Sequence, residues 1–285
     1  MLVPSSAPPT LRQRRLGAEL RKLRERAGLS TTGAAGLLGV NQSRISNIES
    51  GRYAVGPERV RVMAHNYACV DDRLIGSLAA MTGGRTRGWW EEYRELLPAS
   101  LLDLAELEHH ATSLRVASVV HLPGLLQTPA HARAIFSEVV PKLAAYEIEY
   151  RVSHRIKRQS ILYGDRPTPV TVVLHEAALR MGFGGRDIAR EQLKHLNEMG
   201  ESDHVSVVVI PFGGGAFPGS GQPIVYVSAS VPQLDTVQLD TDHGQEFLDA
   251  EAQLGKYRSV LDRMEGCALT PDKSRDLIHG VTREL

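Results

Sequence analysis

The chain has 285 residues, of which 42% are hydrophobic and 23% are charged, a composition typical of a globular protein with about two domains. It has no run of about 18 apolar residues, residues 1–9 lack the pattern of a secretory signal, and two cysteines are too few for a disulfide scaffold. We therefore expect a cytoplasmic protein without membrane segments. The 33 basic and 33 acidic residues give a net charge of zero, which by itself argues against nucleic-acid binding.

The zero net charge is the sum of two opposite charges. Residues 1–88 contain 14 Lys and Arg but 6 Asp and Glu and carry +8, whereas residues 89–285 carry −8. Such asymmetry is typical of a nucleic-acid-binding module joined to another domain, although two solvated surfaces of opposite sign would give the same counts.

Composition divides the chain into four segments. Residues 1–10 are rich in Pro and Ser and are predicted to form a disordered tail. Residues 11–81 carry short helical patterns, residues 82–88 form a Gly- and Arg-rich linker, and residues 89–285 form a second domain.

Glycines separate the first predicted helices of the N-terminal domain. Gly28, Gly39 and Gly51 follow the first, second and third helices, while Ser30 and Asn41 are placed as N-caps. The five predicted helices occupy residues 11–27, 31–38, 42–49, 57–67 and about 74–79. Short helices joined by a tight glycine-containing turn predict an all-α helix-turn-helix bundle.

Residues 20–52, LRKLRERAGLSTTGAAGLLGVNQSRISNIESGR, resemble the Cro/C1 repressor-like (XRE-type) helix-turn-helix family. The positions that carry the resemblance are Leu29-Ser30, Gly39-Val40, Ile45-Ser46, Glu49 and Gly51. The resemblance implies a five-helix, lambda-repressor-like domain that binds double-stranded DNA, and we expect the protein to do so as a homodimer.

The resemblance places Gln42, Ser43, Arg44 and Asn47 toward the major groove. Arg can bond to guanine O6 and N7, and Gln or Asn can bond to adenine N6 and N7, so these residue types suit base recognition. The alternative is that these surface side chains are merely solvated.

Phosphate contacts are predicted on either side of this helix. Thr31 and Thr32 begin the second helix, whose amides and hydroxyls can hold a phosphate. Lys22, Arg26 and Arg52 are further candidates, although basic side chains of the first helix could equally form a solvated face.

The C-terminal domain alternates helical patterns with β-branched runs. Its predicted strands lie at residues 115–121, 169–174, 205–210, 222–228 and 236–239. A predicted helix opens at Trp89, another follows Thr128 and Pro129, and the others lie at residues 142–162, 186–200, 245–264 and 271–281. The continuous apolar runs predict strands that are buried on both faces of a mixed α/β (α+β) domain.

The segments HLPGLLQTPAHARAIF, RIKRQSIL, HEAALR, REQLKHL and VVVIPFGGGAF make this domain similar to DUF5753. DUF5753 typically follows a Cro/C1-type helix-turn-helix in actinobacterial regulators. The resemblance implies an antitoxin-like transcriptional regulator of the Scr1 type with a small DUF397-type protein partner. Two positions depart from the family pattern, His175 and Gln238, where acidic residues are usual.

Fragments of catalytic motifs are incomplete, and we predict no catalytic residue, metal site or cofactor. His175-Glu176 begins the zinc-protease motif, but Leu179 stands at the second ligand position. The glycine-rich segment 213–221 lacks the Lys and Ser/Thr of a phosphate-binding loop and is predicted to be a flexible hairpin or lid loop.

Three histidines are candidates for a metal site. His109, His110 and His121 could cluster, but neighbouring residues on a helix point about 100° apart, which disfavours a metal site.

The sequence as a whole predicts a sequence-specific transcriptional regulator, not an enzyme, whose C-terminal domain mediates dimerisation and binds a partner protein. There are two alternatives. The first is a ligand-sensing regulator with a small-molecule effector pocket in that domain, and the second is an enzyme fused to a DNA-binding module. The loop at residues 123–128 could bind either a ligand or a partner protein.

Overall fold

The structure, a computed structural model, describes residues 8–82, 88–241 and 243–285. Residues 1–7 of the predicted tail and residues 83–87 of the predicted linker lie outside the described residues. Backbone proximity divides the chain into two compact units. The first runs to Glu91 and also includes Leu101–Leu107, and the second contains Glu92–Ser100 and Glu108–Leu285.

The first unit contains the predicted helical bundle. Its helices are α1 (Leu11–Arg26), α2 (Thr31–Leu38), α3 (Gln42–Glu49), α4 (Pro57–Asn66) and α5 (Asp72–Ala80). A 3₁₀ turn at Trp89–Tyr93 takes the place of the helix predicted to open at Trp89, and α6 (Ala99–His109) follows it. Leu20, Ile45, Met63 and Leu78 are among its fully buried side chains, so helices far apart in sequence share one core.

The starts of the first three helices are capped in different ways. Thr10 accepts a hydrogen bond from the Gln13 amide and forms a capping box at α1. Ser30 caps α2 as predicted, since its Oγ accepts the Gly33 N–H at 3.0 Å. Asn41 occupies the N-cap position of α3, but its side chain makes no capping hydrogen bond.

The second unit is built on a six-stranded sheet. Its strands are β1 (Ser113–Ser118), β2 (Val170–His175), β3 (Val205–Ile210), β4 (Ile224–Ser228), β5 (Thr236–Thr241) and β6 (Gly244–Leu248). Its helices are α7 (Pro129–Ser137), α8 (Ala145–Arg158), α9 (Glu176–Arg180), α10 (Arg186–Met199), α11 (Glu251–Cys267) and α12 (Pro271–Glu284). Helix α8 starts later than predicted and continues as a 3₁₀ turn at Gln159–Leu162.

The strand order is β3-β2-β1-β4-β5-β6. Strands β1, β2 and β3 run parallel, with Val116 opposite Val172 and Val172 opposite Val207, and the remaining neighbours pair antiparallel. Helix-containing crossovers are needed to join the parallel strands. This mixed sheet confirms the predicted α/β (α+β) class of the C-terminal domain.

One face of the sheet packs against α11. Val173, Val208 and Val237 share a buried cluster with Leu254 and Leu261 of that helix. The outer edge of β3 is closed by side-chain and loop groups, because Val209 N donates to Ser274 Oγ at 2.9 Å and its carbonyl accepts from Leu269 N at 2.9 Å. Consecutive residues are buried in β2 (Val172–Leu174) and in β3 (Val207–Ile210), so both strands are buried on both faces, as their apolar runs indicated.

One prediction for this unit is wrong, and another is narrowed to one of its two alternatives. Residues 245–248 were expected to begin a helix, but they form β6 and pair with β5, and the helix starts at Glu251. Gly244 has φ +118°, a conformation that favours glycine and allows the β5–β6 hairpin. Of the two alternatives predicted for segment 213–221, the hairpin is excluded because β3 and β4, which the segment connects, are not neighbours in the sheet; the segment is a loop.

Candidate DNA-binding surface

Helix α3 is oriented by two isoleucines. Ile45 and Ile48 are 0% and 4% exposed and lie in the core, so the opposite side of the helix faces outward. Gln42, Ser43 and Arg44 are exposed on its first turn, and the fourth predicted base-contacting residue, Asn47, is half-buried. The four residues therefore occupy the N-terminal half and middle of the helix that follows the turn.

The turn between α2 and α3 is held by its backbone and by one arginine. Gly39 adopts φ +62°, and Val40 N donates to the carbonyl of Ala35 at 3.0 Å. Arg59 on α4 donates to the carbonyl of Leu38 at 2.9 Å, which satisfies a carbonyl at the end of α2. These contacts fix the angle at which α3 leaves α2.

Gln42 links the start of α2 to α3. Its Nε2 donates to Thr31 Oγ1 at 3.3 Å and to Ser46 Oγ at 3.1 Å. Thr31 is half-buried and Thr32 is exposed. The structure thus brings a predicted base-contacting residue and a predicted phosphate-contacting residue together at one edge of the surface.

The three basic phosphate candidates differ in their present contacts. Arg26 and Arg52 are exposed, and neither side chain makes a hydrogen bond or ion pair with another described residue. Lys22 Nζ lies 2.7 Å from Glu19 Oε1 and is thus already paired. A phosphate would have to share or replace that carboxylate at Lys22.

A buried ion pair behind α3 was not found from the sequence. Arg24 Nε and Nη2 bind both oxygens of Glu49, at 2.6 and 2.9 Å, and Arg24 Nη1 donates to the carbonyl of Leu29 at 2.7 Å. Both side chains are almost fully buried. Burial, together with the Glu49 carboxylate, raises the pKa of Tyr67 to about 12. The only signal in the sequence was Glu49 itself, a motif position without an assigned partner.

In the second unit the zinc-protease-like fragment has structural contacts. His175 Nδ1 accepts the Ala177 N–H at 3.1 Å and caps α9. Glu176 accepts the Phe212 N–H at 2.9 Å and pairs with Arg180 at 2.8 Å. Throughout residues 8–82, 88–241 and 243–285, no three His, Cys, Asp or Glu side chains are grouped so that they could hold a metal ion.

Three buried glutamines hold the loop at residues 122–128. Gln127 donates to the carbonyl of Leu122 at 2.6 Å, and Gln159 donates to the carbonyl of Gln127 at 2.7 Å. Gln192 accepts the Thr128 N–H and donates to the carbonyl of Leu126, each at 2.7 Å. Thr128 caps α7 as predicted. These bonds satisfy a turn that is buried over most of its length.

Comparison with known families gives two matches, one in the N-terminal and one in the C-terminal part of the chain. Residues 15–75 match a helix-turn-helix domain, and residues 101–280 match a domain of unknown function, DUF5753. The chain belongs to the DUF5753 family. No curated protein and no solved structure matches it. The helix-turn-helix match supports a DNA-binding regulator, and no described helix of this DUF5753 protein combines the length and hydropathy needed to cross a bilayer.

Two glycines let α1 approach the end of α3 in the DUF5753 protein. A Cβ at Gly17 would lie 2.6 Å from the carbonyl oxygen of Ile48, and it would also collide with that of Glu49. A Cβ at Gly51, which has φ +73°, would lie 2.9 Å from the backbone of Arg14. Helix α1 therefore packs on the backbone of the last turn of α3. This close packing is possible because Gly17 and Gly51 have no side chain.

Gly17→Ala is expected to destabilise the helix-turn-helix unit by about 1–3 kcal/mol, because the clash is with backbone atoms that cannot move aside singly. The measurement is urea unfolding followed by circular dichroism. Gly36→Ala is the matched control, since a Cβ there meets nothing within 4 Å on α2. That variant is expected to gain up to about 1 kcal/mol from helix propensity alone. A stabilised Gly17→Ala protein would contradict the close packing.

Proposed function

We propose that this protein is a sequence-specific transcriptional regulator that binds double-stranded DNA as a homodimer, with α3 as the recognition helix in the major groove. The observation that carries the proposal is the first turn of α3. Gln42, Ser43 and Arg44 are exposed there, while Ile45 and Ile48 hold the opposite side of the same helix in the core.

The side chains divide into base-contacting and phosphate-contacting groups. Arg44 is assigned to guanine, Gln42 and Asn47 to adenine, and Ser43 to either kind of base edge. Thr31, Thr32, Lys22, Arg26 and Arg52 are assigned to phosphates. The excess positive charge of residues 1–88 supports this division, because phosphate contacts release counterions and so favour binding.

A dimer follows from the small reach of one helix. A single recognition helix contacts too few base pairs for useful specificity, and helix-turn-helix proteins combine two half-sites about 10 bp apart. We assign dimerisation to the DUF5753 domain. Its charge of −8 disfavours contact with phosphates and fits a role in protein contacts instead.

An antitoxin-like role with a small DUF397-type partner is part of the proposal. It is supported by the membership in the DUF5753 family and by the acidic charge of that domain. Co-expression with the neighbouring small protein and co-purification through a tag on the full chain is the direct test. The proposal includes no catalytic step and no cofactor.

The DNA-binding proposal predicts both an operator and a salt dependence. Selection from random duplex DNA is expected to return an inverted repeat, and the logarithm of affinity should fall linearly with the logarithm of salt, by about 0.9 for each phosphate neutralised. Arg52→Ala should reduce the magnitude of that slope by about 1 for each subunit of the dimer, and it should not change the selected sequence. An affinity that does not depend on salt, or a selection without a preferred sequence, would contradict the proposal.

A further inference from the structure

Helix α8 carries three arginines on one side, at spacings of four and three residues. Arg158, the last of them, is fully paired. Its Nε and Nη2 bind the two oxygens of Glu108 at 2.7 and 2.6 Å, and both side chains are buried. Arg155 lies about one turn and Arg151 about two turns before Arg158, on the same side of α8.

Arg155 has no such counter-charge. Its Nη1 donates to the neutral amide oxygen of Gln127 at 2.6 Å, and its guanidinium carbon lies 4.2 Å from the ring centre of Phe136. It makes no ion pair with any carboxylate of the described residues. Its Nε is buried without a hydrogen-bond partner, as is the Nε of Arg151.

The electrostatics of Arg155 agree with a role in anion binding. Burial, and then the positive charge of Arg158, lower the pKa of Arg155 to about 9, while Asp240 and Glu108 oppose that change. The pKa of the nearby His121 is lowered first by burial and then by Arg155. Desolvation is the largest of these influences, and a desolvated guanidinium without a paired carboxylate is costly.

The neighbouring loop is shaped around Arg155. A Cβ at Gly124 would lie 3.3 Å from Arg155 Nε, so the absence of a side chain at Gly124 lets the guanidinium lie against the loop at residues 122–128. That loop is fixed by the three glutamines, and His121, at its start, is exposed and stacked on Phe183 with ring centres 4.8 Å apart. The donors are therefore held in place before any ligand arrives.

We propose that Arg155, with Arg151, Gln127 and His121, forms a binding site for a small molecule that bears a carboxylate or phosphate group. The planar guanidinium fork matches such anions, and buried donors without partners are the groups that a bound ion commonly satisfies. The site makes the protein a ligand-binding regulator. Its existence does not depend on DNA binding, because every group in it belongs to the second unit.

The first test is thermal unfolding of the full chain with inorganic phosphate or citrate, each compared with sodium chloride at equal ionic strength. An anion bound at about 100 times its Kd is expected to raise Tm by about 5 °C. Phosphate and citrate separate the two ligand chemistries. Arg155→Met, which keeps the length of the side chain but removes its donors, is expected to abolish the rise. Arg190→Met on α10, at a partly exposed arginine, is expected to keep it.

The second test needs no variant. Proton NMR titration of His121 in the wild-type chain is expected to show a higher pKa with the anion bound, because a negative charge nearby favours the imidazolium. The proposal is overturned if neither anion gives saturable stabilisation, if Arg155→Met is stabilised as much as the wild type, or if the His121 pKa does not move. Binding of a glutamate-rich peptide in the absence of any effect of the small anions would overturn it in favour of a protein partner.

Discussion

Arg44→Ala and Asn47→Ala are each expected to weaken binding to the selected operator by about 5- to 150-fold, since a bidentate base contact contributes about 1–3 kcal/mol of discrimination. Affinity for unrelated DNA should change much less, and for Asn47→Ala hardly at all. The reason is that phosphate contacts supply most non-specific binding, whereas base edges distinguish sequences. Fluorescence anisotropy with operator and scrambled duplexes at one salt concentration measures both affinities.

The matched control for Arg44→Ala is Arg73→Ala, which removes the same charge from an exposed position on another helix of the unit, α5. It is expected to leave the ratio of operator to scrambled affinity unchanged. If Arg73→Ala lowered that ratio as much as Arg44→Ala, or if the double variant of Arg44 and Asn47 kept its sequence preference, α3 would not be the recognition helix.

Glu49→Gln is expected to destabilise the helix-turn-helix unit by about 3–5 kcal/mol. It keeps the shape of the side chain but removes the buried carboxylate that binds Arg24, so that the half-exposed Glu25, 3.5 Å away, is the remaining negative group beside this guanidinium. Since Arg24 also bonds to the carbonyl of Leu29, the change affects both the end of α3 and the turn before α2. Urea unfolding gives the loss of stability, and operator binding should fall with the fraction of folded protein.

Two further variants separate charge from packing. Arg24→Met combined with Glu49→Leu is expected to recover most of the lost stability, because apolar side chains of similar size remove both buried charges together. Arg21→Ala, which breaks the exposed pair with Glu25, should have no measurable effect. If Glu49→Gln were as stable as the wild type, the buried pair would contribute nothing to the position of α3.

Local patterns accounted for most of the first unit. The glycines and N-caps that bound its helices act through neighbouring residues, so their effect is visible in the sequence. Ile45 and Ile48, three residues apart, already indicated which side of α3 is buried, and therefore which side is exposed. What the sequence could not indicate is that Asn47 is half-buried, since that depends on how the helices pack.

The second unit has elements that local sequence patterns predict and one that they do not. Val205–Ile210 was placed correctly because a continuous β-branched run has few alternatives to a buried strand. Residues 245–248 were assigned to a helix because nothing nearby in the sequence shows their partner, which is β5. Whether such a short polar segment forms a helix or a strand depends on the strand that pairs with it, because strand pairing overrides a weak intrinsic propensity.

The net charge of zero was thus resolved by the sequence alone into two domains of opposite charge, one with a helix-turn-helix pattern and one with the landmarks of DUF5753. Periodicity, caps and turn residues are local, and they determined the class of both domains. Only the tertiary structure placed Leu101–Leu107 with the first unit, joined Arg24 to Glu49, and set Arg155 against Gln127 without a carboxylate. These contacts join residues 25 or more positions apart, and the chain must fold before such residues meet.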